Sequence, residues 1–530
     1  MFRKRNPQAS VFDVGNVWPL ELDPKSFFGQ LAAVSDRLFL DEEFADFYKN
    51  SGRGRPCVPP SLLALTLVMQ NYEQISDEKT VDRTAFDLQW AAVLRRHAGE
   101  KLCAKATLQT FRAQLVIHER LQWLLQKSIN EAKEKGLLKD KELIAAIDTK
   151  PIVGRGAVKD TINLIASAML ILSRAQAVHD GVKLEEFLTK NGFGELLAPS
   201  IKGTVEIDWS DQDQQNAFLT ELVVLARRLL DLSDGSVAAI KEAAYLLEQI
   251  ILQDVSETPR SRGSKPSASL KEGTAPGRIP SVTDPEQRHG RKSASKRFVG
   301  SKASIAAETT TGLILSVEVL PGDASDATRS VELVEQAEIN AGIPIKRVLG
   351  DCAYGGVDTR LAFNKSGRPL AAKVPKHPNT ELFSKGKFKI ELPFPGVSLE
   401  HTQVTCPAGH VAGYLDENKE GGVTFYFDEF CSGCPLREKC TKSVHGRSLF
   451  IQPQERMIQE ARQFQATPEG VQTLRQRLRV ENALARLGHL GIGQARYIGR
   501  AKTKFQLTLA ATVANLRLAW NSAGRCAEAF

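Results

Sequence analysis

Two apolar runs decide how this chain folds: Leu143-Ile144-Ala145-Ala146-Ile147-Asp148 and Val348-Leu349-Gly350-Asp351. Each reads as a short buried strand that ends on an aspartate. Far downstream, Arg477-Leu478-Arg479-Val480-Glu481-Asn482 puts a glutamate on a basic helix. Sites in open α/β sheets form at the carboxyl ends of strands. Asp148, Asp351 and Glu481 are therefore the candidate catalytic set. Three carboxylates offer hard oxygen ligands for two Mg²⁺ or Mn²⁺ ions, about 3.5–4 Å apart across a phosphate. The competing reading of either aspartate is a plain helix cap.

The segments around these runs set the architecture. Strand character returns at Ser304–Glu308 and Leu313–Val319, with Thr309-Thr310-Thr311-Gly312 as a hairpin turn. A helix is expected over about Ala327–Ala341, then strands over Ile345–Leu349 and Pro369–Val374. Strand, hairpin, helix, strand, helix, strand is the order of an RNase H-like core, a mixed sheet flanked by helices. The expected fold class is thus α/β. The core is assembled from residues 140–155, 296–394 and 455–522. Residues 156–255 read as a helical insertion and 256–295, rich in Ser, Pro, Gly, Lys and Arg, as a basic flexible linker.

Residues 1–135 read as a helical N-terminal domain. Pro59-Pro60-Ser61 opens the run Leu62–Met69, Ser76-Asp77-Glu78 starts a second helix, and a third spans about Thr107–Lys135. Short helices with loops such as Gly52-Arg53-Gly54-Arg55 suit a helix-turn-helix-like DNA binder, or else a helical scaffold or dimerisation domain. A chain of 530 residues exceeds one ordinary domain. Its 42% hydrophobic and 25% charged residues are those of a soluble globular protein. No apolar stretch reaches the roughly 18 residues of a membrane span. The basic start Met1–Asn6 is not followed by a signal-peptide core. The expected location is the cytoplasm, on the nucleoid when bound to DNA.

The formal charge is only +8, but its distribution is uneven. Cations crowd from Glu257 to Lys302 and from Arg475 to Lys504. Such clusters bind polyanions by releasing counterions. Arg297, Lys302 and Arg479 are candidate DNA contacts, as are Arg53 and Arg55 in the N-terminal loop. Trp90, Trp123 and Trp520 read as core, and His489 as structural.

Four of the eight cysteines, Cys406, Cys431, Cys434 and Cys440, crowd into residues 395–450. Two thiolates three positions apart can chelate Zn²⁺, and the other two complete a tetrahedral set. His410 or His445 could replace one ligand; reduced thiols without metal are the alternative. Four protein ligands leave no open position, so this zinc would be structural, in a small zinc-binding insertion with Arg437 and Lys439 available for DNA.

In the ordered set Gly52–Pro56, Ile75-Ser76-Asp77-Glu78, Phe86–Trp90, Thr107–Arg112, Ile147-Asp148-Thr149, Thr283–Arg288, Gly350–Gly355, Arg477–Glu481 and Asn515-Leu516, the chain resembles bacterial insertion-sequence DDE transposases with an InsH-like N-terminal domain. The resemblance implies that Asp148, Asp351 and Glu481 carry the catalytic metal ions and that Arg477 contacts phosphate. Two departures stand out. Leu474 and Gly488 occupy positions where relatives often have tyrosine and lysine, and Gly300-Ser301-Lys302 replaces a Gly-Tyr-Lys. The implied protein binds the terminal inverted repeats of its element, cleaves at the ends and joins 3′-hydroxyls to target DNA by two-metal-ion transesterification. Its partners would be double-stranded DNA and further copies of itself, with no membrane. A catalytically inactive DNA-binding remnant or repressor is the alternative, and a non-transposing nuclease the third reading.

Overall fold

The computed structural model describes residues 2–6, 11–14, 22–48, 56–258, 267–293, 295–374, 381–419 and 421–527. At its centre lies strand β1, Leu143–Val153. Among the described residues, six α-helices precede it: α1 Phe27–Val34, α2 Pro60–Glu73, α3 Asp77–Phe86, α4 Leu88–Leu94, α5 Lys105–Ile117 and α6 Leu121–Glu134. The single long helix expected over Thr107–Lys135 is broken into α5 and α6, because Glu119 turns left-handed at φ 53°. The apolar run of α2 is buried without a gap from Pro60 to Asn71. A recognition helix must present a face to a DNA groove, and α2 presents none. These helices share one hydrophobic core with the sheet, so they do not form a self-contained module.

Four helices follow β1: α7 Thr161–His179, α8 Leu184–Lys190, α9 Gln212–Leu232 and α10 Ala238–Asp254. They enclose a core of their own, with Leu164, Ile165, Met169 and Leu172 of α7 fully buried. The 19 residues of α7 are long and apolar enough to cross a membrane by composition, contrary to the expectation that no stretch is. Here that apolarity fills the centre of the helical insertion.

The described residues after α10 take up defined strands rather than the flexible linker expected there. Strand β2, Val255–Thr258, pairs with β3, Ser267–Leu270, and β4, Arg288–Arg291, joins the central sheet. Arg278 anchors it by pairing with buried Asp254 at 2.8 Å and donating to Thr161 Oγ1 at 3.1 Å. A buried carboxylate needs a partner, and this cation serves that need rather than facing solvent.

The sheet is completed by β5 Arg297–Glu308, β6 Ile314–Pro321, β7 Ile345–Gly350 and β8 Leu370–Ala372, with α11 Ser330–Ala341 and α12 Val357–Lys365 as crossovers. β1 pairs antiparallel with β5 and parallel with β7, and β7 runs parallel with β8. β4 and β6 share the outer edge of β5. The result is a mixed sheet flanked by helices. The expected hairpin between β5 and β6 is present, with Gly312 left-handed at φ 77°.

One boundary differs in a way that matters. Asp148 does not end its strand; β1 runs on to Val153. The parallel partner β7 accompanies β1 only to Ala146, opposite Leu349, whereas β5 stays paired to Val153. Asp148 thus lies just past the end of the parallel pairing, where the sheet opens beside β7.

Residues 383–451 form a separate small module. β9 Lys389–Glu391 pairs with β10 Gln403–Thr405, and β11 Tyr414–Glu417, β12 Val423–Tyr426 and β13 Ser448–Ile451 form a second sheet. Two single-turn helices, α13 Asp428–Cys431 and α14 Arg437–Cys440, carry Cys431 and Cys440, with Cys434 in the turn between them. The module's core includes Phe388 and draws on Phe383, so it begins before residue 395. The chain then returns to the sheet through α15 Glu455–Ala466, α16 Pro468–Arg475, α17 Leu478–His489 and α18 Arg500–Ala527. Buried Asn515 on α18 accepts from Ile314 N at 2.9 Å and donates to Ile314 O at 2.8 Å, which satisfies the start of β6.

Candidate active site

Three elements carry the candidate carboxylates. Asp148 enters from β1 past the end of its pairing with β7. Asp351 follows Gly350 at the end of β7, where its Oδ1 accepts from Ala353 N at 2.8 Å and caps a short 3₁₀ turn. The cap reading is therefore correct, and it fixes the carboxylate at the sheet opening. Gly350 is needed here, since a Cβ would lie 2.9–3.0 Å from the Tyr354 side chain.

Glu481 arrives on α17. Val480, Ala483, Leu484 and Leu487 form the buried stripe of this helix, at the i, i+3, i+4, i+7 spacing of an amphipathic face. That stripe packs α17 onto β1 and β5. It leaves Glu481 in the first turn, at the positive end of the helix dipole, with its side chain 47% exposed.

Arg477 ties the pieces together. Its guanidinium lies 3.4 Å from Asp148 Oδ2 and 2.6 Å from Glu481 Oε1. Burial nevertheless pushes the Asp148 carboxyl up to about 6, and the charges of Asp351 and Glu481 push the same way. The Thr149 backbone N–H and Arg477 oppose that rise without cancelling it. A carboxylate raised by burial, and further by neighbouring acids, is one whose charge a bound cation would relieve. The floor is Tyr354, fully buried. Its phenol is held neutral well above the usual range by burial, then by Asp148, Asp326 and Asp351.

Sequence reading missed Lys150, two residues along β1 and on the same strand face as Asp148. Its ammonium donates to Leu484 O at 3.3 Å and fills the space a side chain at Gly488 would take. A cation thus stands beside α17 although Gly488 supplies none. The other cation assignments divide. Arg479 and Arg297 are exposed. Lys302 is committed inside the fold, 2.7 Å from both Asp326 and the Ala324 carbonyl. Arg437 donates to the carbonyls of Cys431, Ser443 and Val444 and so serves its own module. Arg53 and Arg55 lie outside the described residues. Trp90 and Trp520 are buried, and the His489 carbonyl accepts from Gln74.

The four cysteines line one small cavity of about 20 Å³, with His410 also on its wall. Cys431 and Cys440 are buried. Cys431 Sγ accepts from the Arg447 backbone N–H at 3.4 Å, just after left-handed Gly446. The Cys440 thiol is pushed up, first by burial and then by its three neighbours, against Arg447. His410 stacks on Phe430 with ring centroids 4.9 Å apart. Neither this set nor the carboxylates is drawn together as a ligand cage: among the described residues, no group of three or more His, Cys, Asp or Glu is positioned to hold a metal ion.

Two family models match the chain. Residues 405–519 match a Transposase DDE domain, and residues 20–114 match a Transposase domain (DUF772). The first spans the four clustered cysteines and Glu481; neither spans Asp148 or Asp351. No curated protein and no solved structure matches.

Proposed function

We propose, from the premise that this chain is an insertion-sequence DDE transposase, that it cuts at the ends of its element and joins the freed 3′-hydroxyls to target DNA. We read the sheet, in the order β6-β5-β1-β7-β8, as an RNase H-like core. The observation that supports the reading is that Arg477 pairs with both Asp148 and Glu481, while the charge of Asp351 also acts on Asp148.

The donor chemistry fits hard divalent cations, because the site offers carboxylate oxygens that repel one another. Asp148, Asp351 and Glu481 would hold Mg²⁺ or Mn²⁺, which when bound supply activation of the attacking oxygen and charge neutralisation at the leaving oxygen. The rest belongs to the chain. The sheet and the Asp351 cap fix two carboxylates, and α17 delivers the third. Arg477, which neutralises Asp148 and Glu481 in this structure, turns to the scissile phosphate once those carboxylates act as ligands. Tyr354 closes the floor against water and holds its proton. Arg479 and Arg297 extend the cationic surface to flanking DNA.

The thiols form a second donor set. We assign Cys406, Cys431, Cys434 and Cys440 to a structural Zn²⁺, on the support of their shared cavity and the backbone N–H directed at Cys431 Sγ.

The test is Mg²⁺-dependent cleavage of DNA carrying the element's ends. Asp148→Asn and Glu481→Gln should each abolish cleavage and leave end binding within a few-fold. Loss of binding with unchanged cleavage per bound complex would overturn the assignment, and a wild-type protein that binds but never cleaves would mark an inactive remnant.

A further inference from the structure

The flank of α17 turned away from the carboxylates borders a cavity of about 550 Å³. Helical geometry sets the two flanks apart. Arg477, Glu481, Leu484 and Gly488 follow one face, while Arg479, Asn482 and Arg486 follow the opposite one at 100° per residue. The cavity lies between that second face, the β5–β6 hairpin and the loop after α6. Its charged lining is entirely cationic: Lys135, Lys139, Arg479 and Arg486, with no aspartate or glutamate.

None of these four cations makes an ion pair among the described residues. Lys135, Lys139 and Arg479 are exposed at the rim. Arg486 is held deeper, where one guanidinium nitrogen donates to the Gly312 carbonyl. Its Nε is buried and has no acceptor among the described residues. A buried donor left unmade is costly, and four like charges around one hollow repel one another. Both costs are removed by an anion with several acceptor oxygens.

We propose that this cavity is a phosphodiester site, which holds the backbone of the DNA strand whose scissile phosphate lies at the carboxylates. The proposal rests on the transposase reading. The two flanks stand about one helix diameter apart, roughly 10 Å. At about 3.4 Å of rise per nucleotide, one strand reaches from the carboxylates to the cavity in roughly three nucleotides. Asn482 and the Thr311 hydroxyl, also on the lining, add neutral contacts to phosphate or sugar.

The test measures the affinity of the full chain for a fluorescent mixed-sequence duplex across a salt series. Lys139→Gln and Arg479→Gln are surface changes, and Arg486→Gln tests the buried donor. Each should weaken binding several-fold and lower the salt slope by about 0.9, with the melting temperature of the two surface variants unchanged. The Asp351→Asn variant should keep the wild-type slope. An unchanged slope in both surface variants, while the wild type binds DNA, would overturn this site and spare the transposase reading. Failure of the wild type to bind DNA would overturn both. Inorganic phosphate is the control for a free anion. If it raises the melting temperature of the wild type but not of Arg486→Gln, and the DNA slopes stay equal, the cavity holds a small anion and not the DNA backbone.

Discussion

The carboxylate cluster and the thiol cluster make opposite use of charge. Asp148 and Glu481 share Arg477 beside an opening of the sheet, and the charge of Asp351 acts on the same Asp148 carboxyl. The four thiols surround a cavity of about 20 Å³, walled by Phe427, Phe430 and Leu436. A site that admits a substrate must keep its neutralising group replaceable; a site that only stabilises a module can be sealed. The same contrast separates Arg477, suspended between two acids, from Arg437, tied to three backbone carbonyls of its own module.

The largest effect that sharpens this comparison comes from metal removal. A chelator should abolish cleavage, and Mg²⁺ alone should restore it while the cysteine module remains intact. After longer stripping, Cys434→Ser and the wild type should converge on a less stable module, several kcal/mol below the zinc-loaded wild type. Zinc analysis and thermal unfolding check this; a wild type with no bound zinc would remove the sealed half of the comparison.

A smaller effect concerns stability. The Asp148 carboxyl is raised to about 6 in the folded metal-free protein, above its unfolded value of about 3.9. Its ionisation therefore opposes folding, fully above pH 6 and not at all below about pH 3.9. Asp148→Asn should stabilise the metal-free protein at pH 8 by on the order of 1–3 kcal/mol, and the gain should fade toward pH 4. Urea unfolding at the two pH values measures it. A variant less stable than wild type at pH 8 would show that Asp148 is ionised without cost.

The smallest concerns Arg477→Ala. Arg477 opposes the rise of the Asp148 carboxyl, so its loss should move the acid limb of the cleavage–pH profile upward as well as weaken DNA binding. An unmoved limb would leave Arg477 a phosphate contact alone.

Much of the site was legible because its signals are local. Asp351 follows a strand and caps a turn, and Glu481 sits on a helix whose apolar stripe is visible in its spacing. What was not legible depends on distant partners. The apolar run ends at Asp148 and polar Thr149 and Lys150 follow, yet pairing with β5 extends the strand to Val153. Lys302 looked free until Asp326, 24 residues on, came to meet it. Arg278 belongs to the buried Asp254, not to a solvated linker. The α2 helix carries a helix-start signal like any other, but its complete burial depends on packing against α18 and its neighbours. The fold class followed from the order of elements; the sharing of one core between the N-terminal helices and the sheet did not, because a core that gathers residues from Phe27 to Trp520 leaves no local mark.

The most direct measurement is cleavage of element-end DNA by the wild type and Asp351→Asn, side by side, with and without Mg²⁺. The expected result is Mg²⁺-dependent cleavage by the wild type and a loss of at least about 10²-fold in the variant, with both proteins equally bound to DNA. Cleavage by Asp351→Asn at the wild-type rate, or cleavage that proceeds without divalent metal, would contradict the carboxylate site.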